Sequence, residues 1–493
     1  MLEKVMDVTN TIFGLPLTIF IICAGLYFSY LVGFFQITHI RKLWSNTFGK
    51  LFKKGLKNVK KDPSYKTIAS VLGGTIGAGN VAGVAAAIAV GGPGALFWMW
   101  IIALLSMATK MVEVMLATKH QQTDAKGNHF GGPMYYIKSI GGKVGKVLAV
   151  IYTITLFIYV LCDSGFVQIN TIASSLVDTF SIPLWPIAVV VGILSIFVIA
   201  GGLKRVSKTL ESLVPIMYAL YIVLALIVII VNIANLPEAI VTVVKYAFMP
   251  APVIGGFAGA TVATAITKGA ARGIFANEAG LGTSTTVHAT TNNDPVTQGL
   301  WGMVEVAVVS FMVCTISGLL VMSTGAWSAE GVEGGAPMIL YAFETLYGQA
   351  GKYILCFVLT TFCYSTYIGF FYEYTTSLGY VVNDKWKNIL KWTYAIPAVV
   401  AVFLSIDVVW DLLCDTAVGL IVVPNIIALV FLTKEIKKTF KDGKAAVLGS
   451  GVYIEDKKEE KDETEEEVKV KKPVSKSTKK TAKKTSKKGN KRK

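Results

Sequence analysis

Between Lys66 and Lys110 the chain carries no charged side chain, and several other stretches are nearly as clean. Such runs need an apolar surrounding, and about 20 consecutive apolar residues suffice to cross a bilayer as a helix. Composition agrees: 53% of residues are hydrophobic and the mean hydropathy is +0.58. Charges are gathered into a few loops and the C-terminal end. The chain therefore reads as an all-α polytopic membrane protein. Eleven spans are predicted, at roughly 12–35, 67–90, 93–118, 146–177, 183–201, 211–235, 252–270, 297–324, 352–381, 389–405 and 411–433. The first run is too long for the core of a cleavable signal and reads as a retained helix. The cysteines (Cys23, Cys162, Cys314, Cys356, Cys363, Cys414) all sit in apolar stretches without metal-type spacing, as small buried hydrophobes do.

Basic residues mark the connections. The first, 36–66, is rich in Lys and Arg, and every second one after it is again basic: Lys119 to Lys146, "LKRVSK" at 203–208, Lys268 with Arg272, and Lys385 to Lys391. The one at 325–350 holds Glu330, Glu333 and Glu344 and no Lys or Arg. Positive charge stays inside, which places the N-terminus outside and the C-terminus in the cytoplasm. Residues 434–493 turn from an acidic block to "KKPVSKSTKKTAKKTSKKGNKRK" and read as a disordered cytoplasmic tail. Tethered at a membrane, its basic end meets anionic lipid before nucleic acid.

One span is peculiar. "GGTIGAGNVAGVAAAIAVGG" (73–92) crowds Gly73, Gly74, Gly77 and Gly79 into an apolar run, although each glycine costs a helix interior roughly 1 kcal/mol against alanine. A helix broken there frees backbone groups that lipid cannot satisfy, so they must line a cavity or meet a ligand. N–H groups opening the second half suit a carboxylate; carbonyls closing the first half suit Na⁺. Helix packing through small residues needs only one face, such as Gly79 with Gly83, whereas these glycines surround the helix. A second glycine cluster, "GGFAGAT" (255–261), reads as the matching break, with Phe257 and Gly259 beside the pocket. "GGPMYYIKSIGGKVG" (131–145) and "GGAPMILYAFETLYG" (334–348) suggest two inverted five-span units, 67–250 and 251–433, after an extra N-terminal helix and basic loop (1–66). Paired interrupted spans in inverted repeats point to a transporter site.

"GGTIGAGNVAGVAAAIAVGGPGALFWMW", "MATKMVEVMLATKH", "GGPMYY" and above all "GIFANEAGLGTS" resemble the alanine or glycine:cation symporter family, over nearly the whole chain to about 433. The resemblance implies a leucine-transporter-type fold and sodium-coupled uptake of alanine or glycine. It implies that the Ala78 and Gly79 amides take the substrate carboxylate and that the Thr75 carbonyl faces its ammonium. It implies Gly73 and Ile76 carbonyls at a sodium site with Ser365 and Thr366. The chain departs from the family at "STYIGFF", where Phe370 stands for Trp, and at "CDSGFVQIN", where an FGxGN-like stretch is expected.

Gln168 could merely bond another helix, but in the implied fold its span faces the substrate, so it is expected to contact the substrate carboxylate, and Phe257 and Phe370 to limit the pocket. Asn80, Asp163 and Glu305 are candidates for coupling, since intramembrane polar groups are functional or structural anchors. Asn277 and Glu278 would gate a cytoplasmic mouth or cap a helix, and Glu113 would snorkel beside Lys110. The four histidines give no metal site and the spans hold no nucleophile–base pair, so no enzyme and no cofactor beyond Na⁺ is expected. The expected partners are a small amino acid, Na⁺ and the bilayer, with a monomer as the working unit. The alternatives are proton-coupled or uncoupled transport, or a channel, whose filter would normally need symmetric chains.

Overall fold

The computed structural model describes residue 9 and residues 11–53, 63–124 and 127–448. Helix α1 spans Leu15–Leu31. The long uncharged run then divides into α2 (Pro63–Thr75) and α3 (Ala82–Gly91), joined through a single 3-10 turn, Ala78–Asn80. Next come α4 (Gly94–Lys119), the 39-residue α5 (Gly142–Phe180), α6 (Leu184–Gly201), α7 (Leu203–Val231) and α8 (Leu236–Phe248). Then follow α9 (Val262–Asn277), the short α10 (Thr285–His288), α11 (Pro295–Ser323), α12 (Ala336–Val381), α13 (Val408–Phe431) and α14 (Thr433–Leu448).

Among the described residues, α1, α4, α5, α6, α11, α12 and α13 are long and apolar enough to cross a membrane, and α7 with α8, bent by 73°, makes an eighth. These account for eight of the eleven expected spans. Of the others, 67–90 is broken in its middle, and 389–405 divides into short helices, Asp384–Leu390, Lys391–Tyr394 and Ala395–Ala401.

The expected span 252–270 needs correction. Its first part is an extended hairpin in which Ala251 pairs with Ala260 and Ile254 with Phe257. Gly255 and Gly259 take φ of 55° and 86° there, conformations glycine adopts without a Cβ penalty. Their glycines make a turn, not a helix break. Helix α9 starts only at Val262, N-capped by the Thr261 side chain, which accepts from Thr264 N at 3.1 Å. The real interruption lies further on, where Glu278, Gly280 and Gly282 at φ 55°, 87° and 79° carry the chain from α9 into α10.

Glycine also fixes how these helices pack on α4. A Cβ at Gly269 would stand 2.5 Å from the Ala95 carbonyl, and one at Gly302 2.9 Å from the Val114 side chain. Close approach through small residues is how helices associate in lipid, and it holds α9 and α11 against α4.

Two further readings are revised. Lys268 and Arg272 are no basic loop; they lie within α9, buried against Asp411 and Asp415 of α13 (Lys268 Nζ at 2.6 and 3.1 Å, Arg272 at 3.1 Å from Asp411 and also bonded to Asp415). Paired charges are tolerated inside a bundle where lone ones are not. Residues 433–448 are not disordered either. Helix α14 buries Ile436, Phe440 and Val447, which a solvated tail would not do, and its Glu435 lies 2.8 Å from both Lys119 and His120. Residues 449–493 lie outside the described ones.

Candidate functional site

At the first break α2 stops at Thr75, and Gly77 runs extended before the 3-10 turn. The freed backbone groups are met from three sides. Asn80 Nδ2 donates to the Thr75 carbonyl at 2.9 Å, and Ser317 Oγ to that of Asn80 at 2.9 Å. Thr366 Oγ1 donates to the Gly74 carbonyl at 3.3 Å, and Ala78 N–H donates to Gln168 Oε1 at 2.9 Å. A Cβ on Gly77 would stand 2.6 Å from Thr366 Oγ1 and 2.8 Å from Gln168 Oε1; one on Gly79 would stand 2.7 Å from the Phe275 ring. Glycine is required here because α5, α9 and α12 all close on the same turn. Beside Gly73 and Gly74 nothing lies within 4 Å of where a side chain would begin.

Thr75, Gly77, Ala78, Gly79, Gln168 and Thr366 are thus brought to one place. Of the expected sodium set, Thr366 meets the break directly, on the carbonyl of Gly74, with Gly73 just before that residue, Ile76 two positions after it and Ser365 adjoining Thr366. Phe370 is buried in an aromatic wall: its ring lies 6.3 Å from Tyr159, which is 6.3 Å from Phe275, which meets Trp410 edge-on at 5.5 Å. Phe257 is not in this wall, contrary to expectation. It packs on Gly92 and Trp327 past the far end of α3, with Gly259 in the same hairpin, because the residues around it are extended and not helical. A cavity of about 500 Å³ runs from there past Glu333 and Ser405 to Trp410 and Asp411. Tyr159, Phe275 and Trp410 were invisible in the sequence, being apolar residues in apolar helices; only the position of Phe275 just before "NEAG" gave a hint.

The Gln168 side chain is held at both ends. Its Nε2 donates to Asp163 Oδ1 at 2.7 Å, so the amide presents its carbonyl oxygen, an acceptor, to the break. One of its two N–H groups is committed to the Asp163 carboxylate. Asp163 receives its other hydrogen bond from Tyr159 OH at 3.2 Å and forms no ion pair among the described residues.

At the second break the backbone is held by buried side chains of three other helices and of the end of α9 itself. Gly280 N–H donates to Glu113 Oε2 at 3.1 Å and Asn425 Nδ2 donates to the Gly280 carbonyl at 2.9 Å. Tyr152 OH donates to the Leu281 carbonyl at 2.7 Å, and Ala279 N–H to Asn277 Oδ1 at 3.0 Å. Asn277 and Glu278 are buried within the bundle. Glu113 and Lys110 are fully buried and do not snorkel, because each has an interior partner.

Glu305 joins the two breaks. Its Oε1 accepts from Thr75 Oγ1 at 3.2 Å and lies 3.3 Å from Lys110 Nζ; its Oε2 meets Ser284 Oγ at 3.3 Å and His288 Nε2 at 3.0 Å. Lys110 Nζ donates to Ser284 Oγ at 2.7 Å, and Gln298 Nε2 bonds His288 Nδ1 at 2.6 Å. Every member of this knot is buried.

Interrupted apolar helices with buried polar side chains gathered at the gaps are the frame of a multi-pass membrane protein. Sequence comparison makes the class specific. The profile of the sodium:alanine symporter family matches residues 1–462. An uncharacterized transporter of Haemophilus influenzae is 36% identical over 446 residues, covering 90% of this chain and 96% of that one. The uncharacterized transporter YflA of Bacillus subtilis is 33% identical (88% and 92% covered), and the sodium/alanine symporter AgcS of Methanococcus maripaludis 31% identical (86% and 93%). The chain belongs to the sodium:alanine symporter family.

Proposed function

We propose that this chain is a sodium-coupled importer of a small amino acid, alanine and glycine first, working as a monomer by alternating access. The observation that carries the reading is the first break: the Ala78 N–H points at Gln168 Oε1, and the Gly74 carbonyl meets the Thr366 hydroxyl beside the same Gly77. One turn thus offers donors for a carboxylate and oxygens for a hard cation. Thr366 bridges the two, so cation occupancy and substrate occupancy share a residue. In this reading 67–250 and 251–433 are inverted halves, broken at 76–81 and 278–284, with the N-terminus outside and the C-terminus in the cytoplasm.

Proton coupling is the second reading, favoured by the excess of buried carboxyls (Glu113, Asp163, Glu278, Glu305, Glu373) over buried cationic partners near the breaks. Uptake of labelled alanine into proteoliposomes under an inward Na⁺ gradient separates the two. Accumulation that collapses when Na⁺ is equalised supports sodium; accumulation that follows an imposed pH gradient at equal Na⁺ supports protons. Uptake indifferent to both would exclude symport.

A further inference from the structure

We propose that Asp163 is the seat of the substrate's ammonium group, and that the Gln168 side chain holds the substrate's place until it arrives. This rests on the reading above, in which a zwitterionic amino acid binds at the first break. Gln168 spans a gap of fixed polarity: its Oε1 accepts from Ala78 N–H at 2.9 Å and its Nε2 donates to Asp163 Oδ1 at 2.7 Å. An amino acid has the same polarity over a similar length. Its carboxylate accepts, its ammonium donates, and one carbon separates them. The planar amide therefore marks a slot between a donor and a carboxylate that a zwitterion fills with full charges at both ends.

Three observations point to an organic cation at Asp163. Its partners, Tyr159 OH and Gln168 Nε2, are neutral, and a buried carboxylate without a cation is costly. The nearby cations are engaged elsewhere: Lys110 by Glu305 and Ser284, Lys268 and Arg272 by Asp411 and Asp415. The surroundings are aromatic, with Tyr159 on Asp163 and the rings of Phe275 and Phe370 each 6.3 Å from Tyr159. Aromatic faces suit a weakly hydrated ammonium, whereas Na⁺ prefers a shell of oxygens. The Thr75 carbonyl, the acceptor that family resemblance implies for the ammonium, already takes Asn80 Nδ2 at 2.9 Å. Bound substrate would displace Gln168 from both of its contacts.

The test is equilibrium binding of L-alanine to the purified full-length protein in Na⁺, with L-lactate as competitor. Lactate keeps the carboxylate and methyl but carries a hydroxyl in place of the ammonium. Asp163→Asn should weaken alanine by about tenfold or more, the scale of one charge-assisted hydrogen bond. It should leave lactate and the Na⁺ half-saturation unchanged, so that the preference for alanine collapses. Gln168→Ala removes the placeholder and should strengthen alanine more than lactate, which decides the matter even if Asp163→Asn fails to fold. Unchanged alanine affinity and selectivity in Asp163→Asn, or a weaker alanine site in Gln168→Ala, would overturn the proposal. Alanine binding to the unmodified protein that ignores Na⁺ would instead count against sodium symport, and the variants would still decide the seat.

Discussion

The two helix breaks solve the same problem in opposite ways. Both expose backbone groups deep in an apolar bundle, where each unsatisfied group costs several kcal/mol. At 278–284 the bonds come from buried side chains, Glu113, Asn425 and Tyr152, on helices packed tightly around the turn, and a Cβ on Gly282 would stand 2.5 Å from Pro133. At 76–81 the bonds to Ala78 and Gly74 come from the side chains of Gln168 and Thr366, and Gly73 and Gly74 face open space. The second break is packed on all sides; in the reading proposed here, the Gln168 and Thr366 contacts at the first are the ones a ligand would replace. Glu305 ties one to the other through Thr75 and Ser284.

The largest effect should come from cutting that tie. Glu305→Gln leaves Lys110 buried beside a neutral group, and breaking a buried pair costs about 3–5 kcal/mol. Little folded protein should survive extraction, by fluorescence-detected size exclusion, and Lys110→Met combined with Glu305→Leu should recover part of it. If Glu305→Gln is as stable as the unmodified protein, the breaks are not joined there.

Glycine substitutions should then split by site. Gly282→Ala meets Pro133 and a φ of 79°, so the melting temperature should fall. Gly77→Ala meets side-chain oxygens of Thr366 and Gln168 at a φ any residue adopts, so its melting temperature should fall less than that of Gly282→Ala while alanine uptake is lost. Equal behaviour of the pair in thermal and uptake assays would erase the distinction.

Within the first break, Thr366→Ala should raise the Na⁺ concentration for half-maximal uptake several-fold, and Gln168→Ala should leave it nearly unchanged. The reverse order would exchange their roles. More modestly, Phe370→Ala should let valine and leucine compete with alanine. In the unmodified protein they should fail for want of space, since each added methylene would otherwise gain about 0.8 kcal/mol by burial. The smallest effect lies away from both breaks. Burial raises the pKa of Glu435, but the hydrogen bond from Lys119 and the neighbouring His120 outweigh it and hold the carboxyl below its ordinary range. Its folded pKa being depressed, its share of stability is present above the unfolded value and is lost as pH falls through the folded one. Because the pair is partly exposed, Glu435→Gln should remove only a slight acid-side drop in melting temperature.

How much of this was legible depended on where the signal resided. The first break announced itself, because four glycines in an uncharged run contradict helix economy on local grounds. The second did not. "GGFAGAT" copies the composition of a break but forms a hairpin, while the true interruption contains Glu278, a non-glycine residue at positive φ, and its hydrogen bonds come from Glu113, Tyr152 and Asn425, far away in the chain. Lys268 and Arg272 looked like a loop because charges inside a span are rare; their partners Asp411 and Asp415 appear only once α9 meets α13. Phe370 was identified from a motif, whereas Tyr159, Phe275 and Trp410 had no local mark. The direction in which Gln168 points was set by Asp163, one helical turn away, and no pattern in the sequence encodes a side-chain amide's orientation.

The central claim is that ligands act on one break and leave the other fixed. Hydrogen–deuterium exchange of the purified protein, read on peptides covering 70–82 and 276–286, tests it directly. With Na⁺ and alanine together, exchange should slow strongly in 70–82 and change little in 276–286, which is already protected. Protection appearing mainly in 276–286, or in neither segment, would contradict the account.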